Sequence, residues 1–594
     1  MCGIIACRTS RPAADYLRVG LRRLEYRGYD SVGVALQTVG GDVVRLRTVG
    51  RIEALDGMLA RWTGAEFDGV GIGHTRWATH GLVSTGNAHP HSDCTGRISV
   101  VHNGIIANAD ELRAELTSAG HRFETTVDSE VLCHLIEDER IAEDDLALAV
   151  QKALARAQGS WAIAVLEQDT GRIILAANGS PLLVAHTPHG EFAASDIAAL
   201  ADWADEFRVL DDGDLVELGT ERWWRAGVTI PAPPANRCPW RSADVELHHH
   251  ADYMGKEIDE QPAAAAVLVE ALAPDIADGA LWHRLGLPDF RRLRVIGCGT
   301  SLNAGNVIGN LARALGGIPV TATVASEIAA DVADADQLTL AISQSGETAD
   351  VLRAIESPVL EGARILALTN NTHSTLARIA DAVVDCSAGP EIGVAATKTF
   401  MCQVISGAAV MISALVAMKR LSPRTAAALV DDLRRVPDQL AAAHARTRRL
   451  LPPIVDGLVT AGGFIFIARG SGVPYAAEGA LKLKELTYRW AEHCPAGELK
   501  HGPLALVGPG TPVIVVDNGD PKLACSAAEV AARGGNVITI GAADSSLPVL
   551  EELTAPWGPV AATIPLQVLA RSLAVALGRD VDKPRNLAKS VTVE

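Results

Sequence analysis

At 594 residues the chain is too long for one hydrophobic core, so roughly three or four domains of ordinary size are expected. Its composition, 48% hydrophobic and 21% charged with only 4% aromatic, excludes a disordered or fibrous protein and fits an α/β globular one. A formal charge of -18 excludes a broad nucleic-acid or anionic-membrane surface but leaves room for a local pocket around one phosphate, so the expected partners are small molecules.

In chain order, short β-type runs at 70–73, 98–101, 161–167 and 172–176 alternate with helical patterns at 12–24, 111–119 and 146–157, which predicts one α+β domain. The Pro-rich stretch 230–240 (IPAPPANRCPW) can sustain neither a helix nor a central strand, and the polar run 241–252 follows it, so a linker is expected there. Beyond it the pattern repeats. An apolar strand at 294–297 runs into Cys-Gly-Thr-Ser (298–301) and a helix, and a strand at 463–468 runs into Arg-Gly-Ser-Gly (469–472) and a long helix. Second strands follow at 338–342 and 512–516, and third strands at 364–368 and 536–540. Strands alternating with helices predict parallel sheets, here two doubly wound domains related by duplication. The longest apolar run, 407–418, is too short to span a bilayer and is expected to be a buried helix. The N-terminus lacks the basic and apolar regions of a signal peptide. The ten cysteines show no CxxC spacing, so a cytoplasmic protein without structural zinc, other metal, cofactor or membrane contact is expected.

Cys2 carries the first chemical signal. Removal of Met1 would put a thiol and a free α-amine on one residue, the amine with an ordinary pKa of about 7.7 to 8.0 that suits a base near neutrality. A cysteine at position 2 is by itself more often incidental. The segment GHTRWATHG (73–81), however, packs a guanidinium, an indole, a hydroxyl and imidazoles behind a strand, and an Arg fork there could grip a carboxylate. VHNGII (101–106) ends a strand with an amide and a flexible Gly N–H, the donors a tetrahedral oxyanion needs. Asp128 offers a negative partner for a substrate ammonium. His74, His89 and His91 are expected to be hydrogen-bonded packing residues. The triplet His248, His249 and His250 fits a solvated linker better than a metal site, since three consecutive residues cannot all point one way.

Together Met-Cys-Gly-Ile, LEYRGYDS (24–31), HTRWATHG, Asn87 to His91 (NAHPH), HNGII and Asp128-Ser129-Glu130-Val131 resemble the N-terminal-nucleophile glutamine amidotransferase family. The resemblance implies that Cys2 forms a glutamyl thioester and that Asn103 and Gly104 make the oxyanion hole. It further implies that Arg76, Thr79, His80 and Asp128 hold glutamine and that Trp77 gates the path of ammonia.

The second half should then bind the acceptor. The strand at 338–342 runs into Ser343-Gln344-Ser345-Gly346-Glu347-Thr348 and a helix, and hydroxyls, an amide and free N–H groups at a helix start suit a phosphate better than a simple cap. The equivalent strand of the second repeat ends in Asp517-Asn518-Gly519-Asp520, whose carboxylates would repel a phosphate, so one sugar-phosphate site per chain is expected. In EGALKLKE (478–485) Lys482 and Glu485 share a helix face, and His501 suits proton transfer. Lys589, considered alone, reads as an ordinary exposed lysine near a mobile chain end.

SQSGET, EIGVA (391–395), EGALKLKE, GELKHGPLAL and DKPRNLAKSVTVE resemble, in order, the paired sugar-isomerase (SIS) domains of the glucosamine-6-phosphate synthase family, and with the first half the likeness covers almost the whole chain. The implied fold is an α+β N-terminal-nucleophile glutaminase domain at 2–220, a linker at 221–280, two α/β doubly wound SIS domains with parallel sheets at 281–430 and 453–585, and a catalytic tail at 586–594. Ser343, Gln344, Ser345 and Thr348 would hold the phosphate, with Thr300, Ser301, Val394 and Ala588 around the sugar. Lys589 would form an imine with the open ketose, Glu485 would move a proton between C1 and C2, and His501 would assist ring opening from a neighbouring subunit of a homodimer. The implied substrates are glutamine and fructose 6-phosphate, with ammonia carried between them away from water. Leu302, Ala396 and residues 328–331 depart from the family pattern and bear on the choice of sugar. A paralogue aminating a related ketose phosphate and a non-catalytic sugar-phosphate sensor are the competing readings. Neither a pyrophosphate-site motif nor an SGGxDS loop is present to favour other amidotransferases.

Overall fold

The computed structural model describes residues 2–61, 67–78, 81–220, 222–334, 336–549 and 553–592. It divides into two units, Met1–Glu246 with Ala588–Glu594, and Leu247–Leu587.

The first unit is built on two antiparallel sheets of eight and seven strands. Strand Gly3–Thr9 lies inside the larger sheet, between Gly190–Ala194 and Phe67–Arg76. Successive side chains of a strand point to opposite faces. Ile5 and Cys7 therefore meet Leu17 and Leu21 of helix Ala13–Leu24, while Ile4 and Ala6 meet Val101 and Ala164 of the second sheet. The far face of that sheet is covered by helices Ala109–Ala119, Glu130–Ala142 and Leu146–Leu154 through Leu112, Leu132 and Val150. The layers run helix, sheet, sheet, helix. Strands in the middle are buried on both faces, which explains why the sequence shows apolar runs there rather than alternation.

The second unit holds two five-stranded sheets that are parallel throughout. Across the first sheet the strands are Val320–Val324, Arg292–Gly297, Gln337–Ser343, Arg364–Thr369 and Ala382–Asp385. Across the second they are Trp490–Pro495, Gly463–Ala468, Pro512–Val516, Asn536–Gly541 and Leu547–Pro548. Both follow the order 2-1-3-4-5, so each has its topological switch point between its first and third strands, where doubly wound sheets bind ligands. In the first sheet those two strands run directly into Cys298–Ser301 and Ser343–Thr348.

The two edge strands of each sheet carry no strong sequence signal. Val320–Val324 is half-exposed, and Trp490–Pro495 mixes charges with a proline, as edges do. Within the Pro-rich stretch, Ile230 ends strand Val228–Ile230 and Asn236–Arg237 makes a two-residue edge pairing against Glu206–Val209. The apolar run at 407–418 is buried helix as expected, but the helix extends beyond it, over Lys398–Ala417. Among the described residues it alone is long and apolar enough to cross a membrane, yet 94% of its apolar window is buried inside the protein. It is the core helix of the second unit, and being buried all round it needs no polar face.

Candidate active sites

In the first unit, strands Gly3–Thr9 and Phe67–Arg76 pair so that Cys2 meets the end of the HTRW segment. The half-buried Cys2 Sγ accepts the Trp77 N–H at 3.3 Å, and Asn103 Nδ2 donates to the Cys2 carbonyl at 3.1 Å. Arg27 Nε donates to the same carbonyl at 3.3 Å while its terminal nitrogen grips Asp196 at 2.8 Å, a carboxylate that also accepts the Tyr26 hydroxyl at 2.7 Å. Burial pushes the Cys2 thiol up, offset in part by the positive amino terminus, the Trp77 N–H, Arg76 and Arg27. The resting sulfur is therefore a thiol that needs a base.

The expected oxyanion donors stand beside it. His74 Nε2 lies 3.1 Å from both Asn103 Oδ1 and the His102 carbonyl. Both partners are acceptors, so Nε2 carries the proton, and the Asn103 amide is held with its NH2 toward Cys2. Gly104 has φ of +133°, and a Cβ there would lie 2.1 Å from the Ser160 carbonyl oxygen, so only glycine fits. Asp128 Oδ2 accepts the Ile106 N–H at 2.9 Å and lies just before helix Glu130–Ala142. Arg76 is buried at the end of its strand, and Trp77 stacks edge-on against Tyr29 at 5.4 Å. Thr79 and His80, also expected to hold glutamine, lie outside the described residues. Arg27, Asp196 and the orienting role of His74 escaped the sequence reading. LEYRGYDS held the only hint, because Arg27 and Asp30 (whose Oδ2 accepts the Ala78 N–H at 2.9 Å) both lie in it.

The histidine cluster behind these donors is only partly hydrogen-bonded. His89 Nδ1 accepts the His102 N–H at 3.3 Å and its ring stacks on His74 at 4.1 Å, but neither ring nitrogen of buried His91 has a partner among the described residues. Burial drives the imidazole of His91 down to about 3, and those of His74, His89 and His102 downward as well. The unfolded chain titrates these groups near 6.5, so it binds more protons than the folded chain below that pH. Their contribution is complete above about 6.5 and is lost as pH falls. For His91 the loss is expected to be roughly 2 kcal/mol between pH 6.5 and 5. Urea denaturation across this range should show a shallower decline for His91→Leu than for the native chain; parallel curves would contradict the neutral buried imidazole.

The second unit gathers a separate set. The hydroxyls of Ser343 and Thr348 lie 2.8 Å apart, Ser343 Oγ accepts the Gly346 N–H at 3.0 Å, and Ser345 Oγ accepts the Glu347 N–H at 3.1 Å. Gly346 has φ of +67°, and a Cβ there would collide with the Ser374 hydroxyl at 1.9 Å. Gln344, Ser345 and Thr348 are half-buried, so this loop opens at the start of helix Ala349–Glu356. At the neighbouring strand end Ser301 Oγ accepts from Gln403 at 3.1 Å, and Thr300 Oγ1 donates to Glu478 at 3.0 Å.

Glu478 was missed by the sequence reading and links the two repeats: its other oxygen accepts from Asn303 at 2.9 Å. Lys482, fully buried, lies 2.7 Å from Glu485 and 3.5 Å from Glu478. Burial alone would lower the Lys482 amine, but Glu485 and Glu478 raise it, while burial raises the Glu478 carboxyl against the pull of Lys482. Removing one member of such a buried charged group typically costs about 3–5 kcal/mol, which keeps the trio fixed. The EIGVA loop is held from behind. Glu257 accepts the Gly393 N–H at 3.0 Å, Glu391 accepts the Thr397 N–H at 2.9 Å, and Val394 donates to the Asp582 carbonyl at 2.9 Å. Leu302 packs against the main core and Ile328 is buried, so these family departures are apolar replacements. His501, at the end of the turn Ala496–His501, is exposed, and its side chain makes no hydrogen bond or ion pair among the described residues. Ala588 and the half-buried Lys589 belong to the tail that groups with the first unit.

Family models agree with this division. A glutamine amidotransferase domain matches residues 74–202, and a SIS domain matches residues 287–413 and 458–576. A relative from Thermus thermophilus, a glutamine–fructose-6-phosphate aminotransferase (isomerizing), is 40% identical over 620 residues that cover 100% of both chains. A relative of the same description from Halobacterium salinarum is 39% identical over 614 residues, again with 100% of both covered. The solved C-terminal domain of glucosamine-fructose-6-phosphate aminotransferase from Francisella tularensis superposes with a TM-score of 0.51 at 32% identity, covering 57% of this chain and 99% of that one.

Proposed function

Because the chain belongs to the glutamine–fructose-6-phosphate aminotransferase (isomerizing) family, we propose that its two units divide one reaction, with Cys2 releasing ammonia in the first and the SIS domains aminating a sugar in the second. The protein hydrolyses glutamine to glutamate and uses the released ammonia to convert fructose 6-phosphate to glucosamine 6-phosphate, an isomerising amination. Once Met1 is removed, the α-amine of Cys2 takes the thiol proton that burial otherwise retains, and the thiolate attacks the glutamine side-chain carbonyl. Asn103 Nδ2 and the Gly104 N–H stabilise the oxyanion, the amine returns the proton to the leaving ammonia, and water then hydrolyses the thioester to glutamate. Arg76 and Asp128 hold the two ends of the amino acid, with Thr79 and His80. Trp77, hydrogen-bonded to the nucleophile, stands where ammonia leaves, and shielding from water keeps that ammonia unprotonated.

Ser343, Gln344, Ser345 and Thr348 of the second unit bind the phosphate at its switch point, Thr300, Ser301 and Val394 take the sugar, and the C-terminal tail supplies Ala588. Lys589 forms an imine with the open ketose as water leaves, ammonia displaces the lysine amine, and Glu485 carries the proton from C1 to C2. His501, exposed in the single chain, serves the ring opening of a neighbouring subunit in a homodimer located in the cytoplasm.

The observation that carries this reading is the convergence of Cys2, Trp77 and the His74-oriented Asn103 amide. The test is mass spectrometry of products after incubating the purified protein with glutamine and a panel of ketose phosphates. Glucosamine 6-phosphate from fructose 6-phosphate is expected. Preferential amination of another ketose would identify a paralogue, and binding without turnover a sensor.

A further inference from the structure

On the outer side of the first unit, four donor atoms converge from three separate segments. Cys94 lies in the loop after strand His91–Ser92, His121 follows helix Ala109–Ala119, and His134 and Glu137 are one turn apart on helix Glu130–Ala142. Cys94 Sγ, one nitrogen of each imidazole and a Glu137 oxygen all lie within 4.8 Å of one another. We propose that they form a divalent-metal site, of the kind that takes zinc, which pins the segment bearing Cys94 to the helix that begins beside Asp128.

The spacing supports coordination. Cys94 Sγ is 3.6 Å from His121 Nδ1 and 3.5 Å from His134 Nδ1. A tetrahedral zinc ion, bonded at about 2.3 Å to sulfur and about 2.0–2.1 Å to nitrogen, holds such donors about 3.6 Å apart. Glu137 Oε2 stands 2.9 Å from His121 Nδ1 and 3.1 Å from His134 Nδ1, slightly inside the roughly 3.3 Å edge that the same geometry gives, so a small outward shift admits the ion.

The surroundings are those of ligands. Each imidazole offers Nδ1 inward; His121 Nε2 is hydrogen-bonded to Asp138 at 2.8 Å, while His134 Nε2 lies 3.7 Å from Glu130, an ion-pair distance without a hydrogen bond. Carboxylates behind metal-bound imidazoles fix ring orientation and strengthen the donor. Glu130 is itself pinned by the N–H groups of Glu124 and Thr125 at 2.7 and 2.8 Å. Cys94 Sγ also accepts the Arg122 N–H at 3.4 Å. One thiolate and one carboxylate neutralise a divalent cation, and His/Cys donors select zinc over magnesium or calcium. Binding expels the Cys94 thiol proton, and because Cys94 is exposed the ion has an entry path. The ligands spread from 94 to 137 with no repeated short spacing, which is why the cysteine pattern alone predicted no zinc.

The test uses the full chain stripped with a chelator. Zinc is titrated against a chromophoric competitor, and cobalt is titrated while the thiolate-to-metal charge-transfer band is followed. One equivalent with that band is expected. Cys94→Ser should abolish the band and His121→Gln should weaken binding, while Asp138→Asn, which removes no ligand, should weaken it about 10- to 100-fold. Circular dichroism verifies that each variant is folded. Equal affinity and stoichiometry in the native chain and Cys94→Ser, or no cobalt–thiolate band in the native chain, would overturn the assignment.

Discussion

Replacing Cys2 by Ala is expected to lower glutamine hydrolysis by about 1,000-fold or more, since removing a covalent nucleophile abolishes the steps that depend on it. The surroundings of the missing sulfur would persist, because Asn103 and Arg27 contact the Cys2 backbone carbonyl and not its side chain. Isomerisation of fructose 6-phosphate to glucose 6-phosphate by the second unit should survive. Glutamate release and sugar-phosphate interconversion, assayed on the same preparation, separate the two activities. Full glutamine-dependent synthesis by the Ala variant would remove the nucleophile assignment, as would full activity in protein shown by mass spectrometry to retain Met1.

Lys589→Arg should produce the complementary defect. An amine must be neutral to attack a carbonyl, and a lysine can lose its proton where a guanidinium, with pKa above about 12, cannot. Length and charge are nearly conserved, so any purely electrostatic contribution to phosphate binding would remain. Amino-sugar formation is expected to fall by about 1,000-fold or more while glutamine hydrolysis at Cys2 continues uncoupled. Borohydride reduction in the presence of fructose 6-phosphate should attach the sugar irreversibly to the native tail and leave the Arg variant unlabelled. Unimpaired synthesis by Lys589→Arg would end the imine assignment.

The strands that form the switch point of each SIS domain were legible as apolar runs, and those at 463–468 and 512–516 have the bounds the sequence predicts. A central parallel strand is buried on both faces, so its sequence is nearly continuous in Val, Ile and Leu. Edge strands such as Val320–Val324 lack that constraint and left no pattern. The HTRW and HNGII segments and the SQSGET loop stood out for a different reason: each is a local cluster of unusual residue types at the end of a strand.

What the sequence by itself determined is therefore whatever is written within about ten residues: the strand cores, the helix periodicities, and motifs whose chemistry is local. Tertiary structure alone decided which groups meet across the chain. Asn103 reaches Cys2 over 101 positions and Asn303 reaches Glu478 over 175, while Lys482 is placed between two carboxylates that make it a buried charge instead of an exposed one. Hydrogen bonds and ion pairs depend on separations of about 3 Å in space, and sheet order and helix packing set those separations without leaving a periodic trace along the chain.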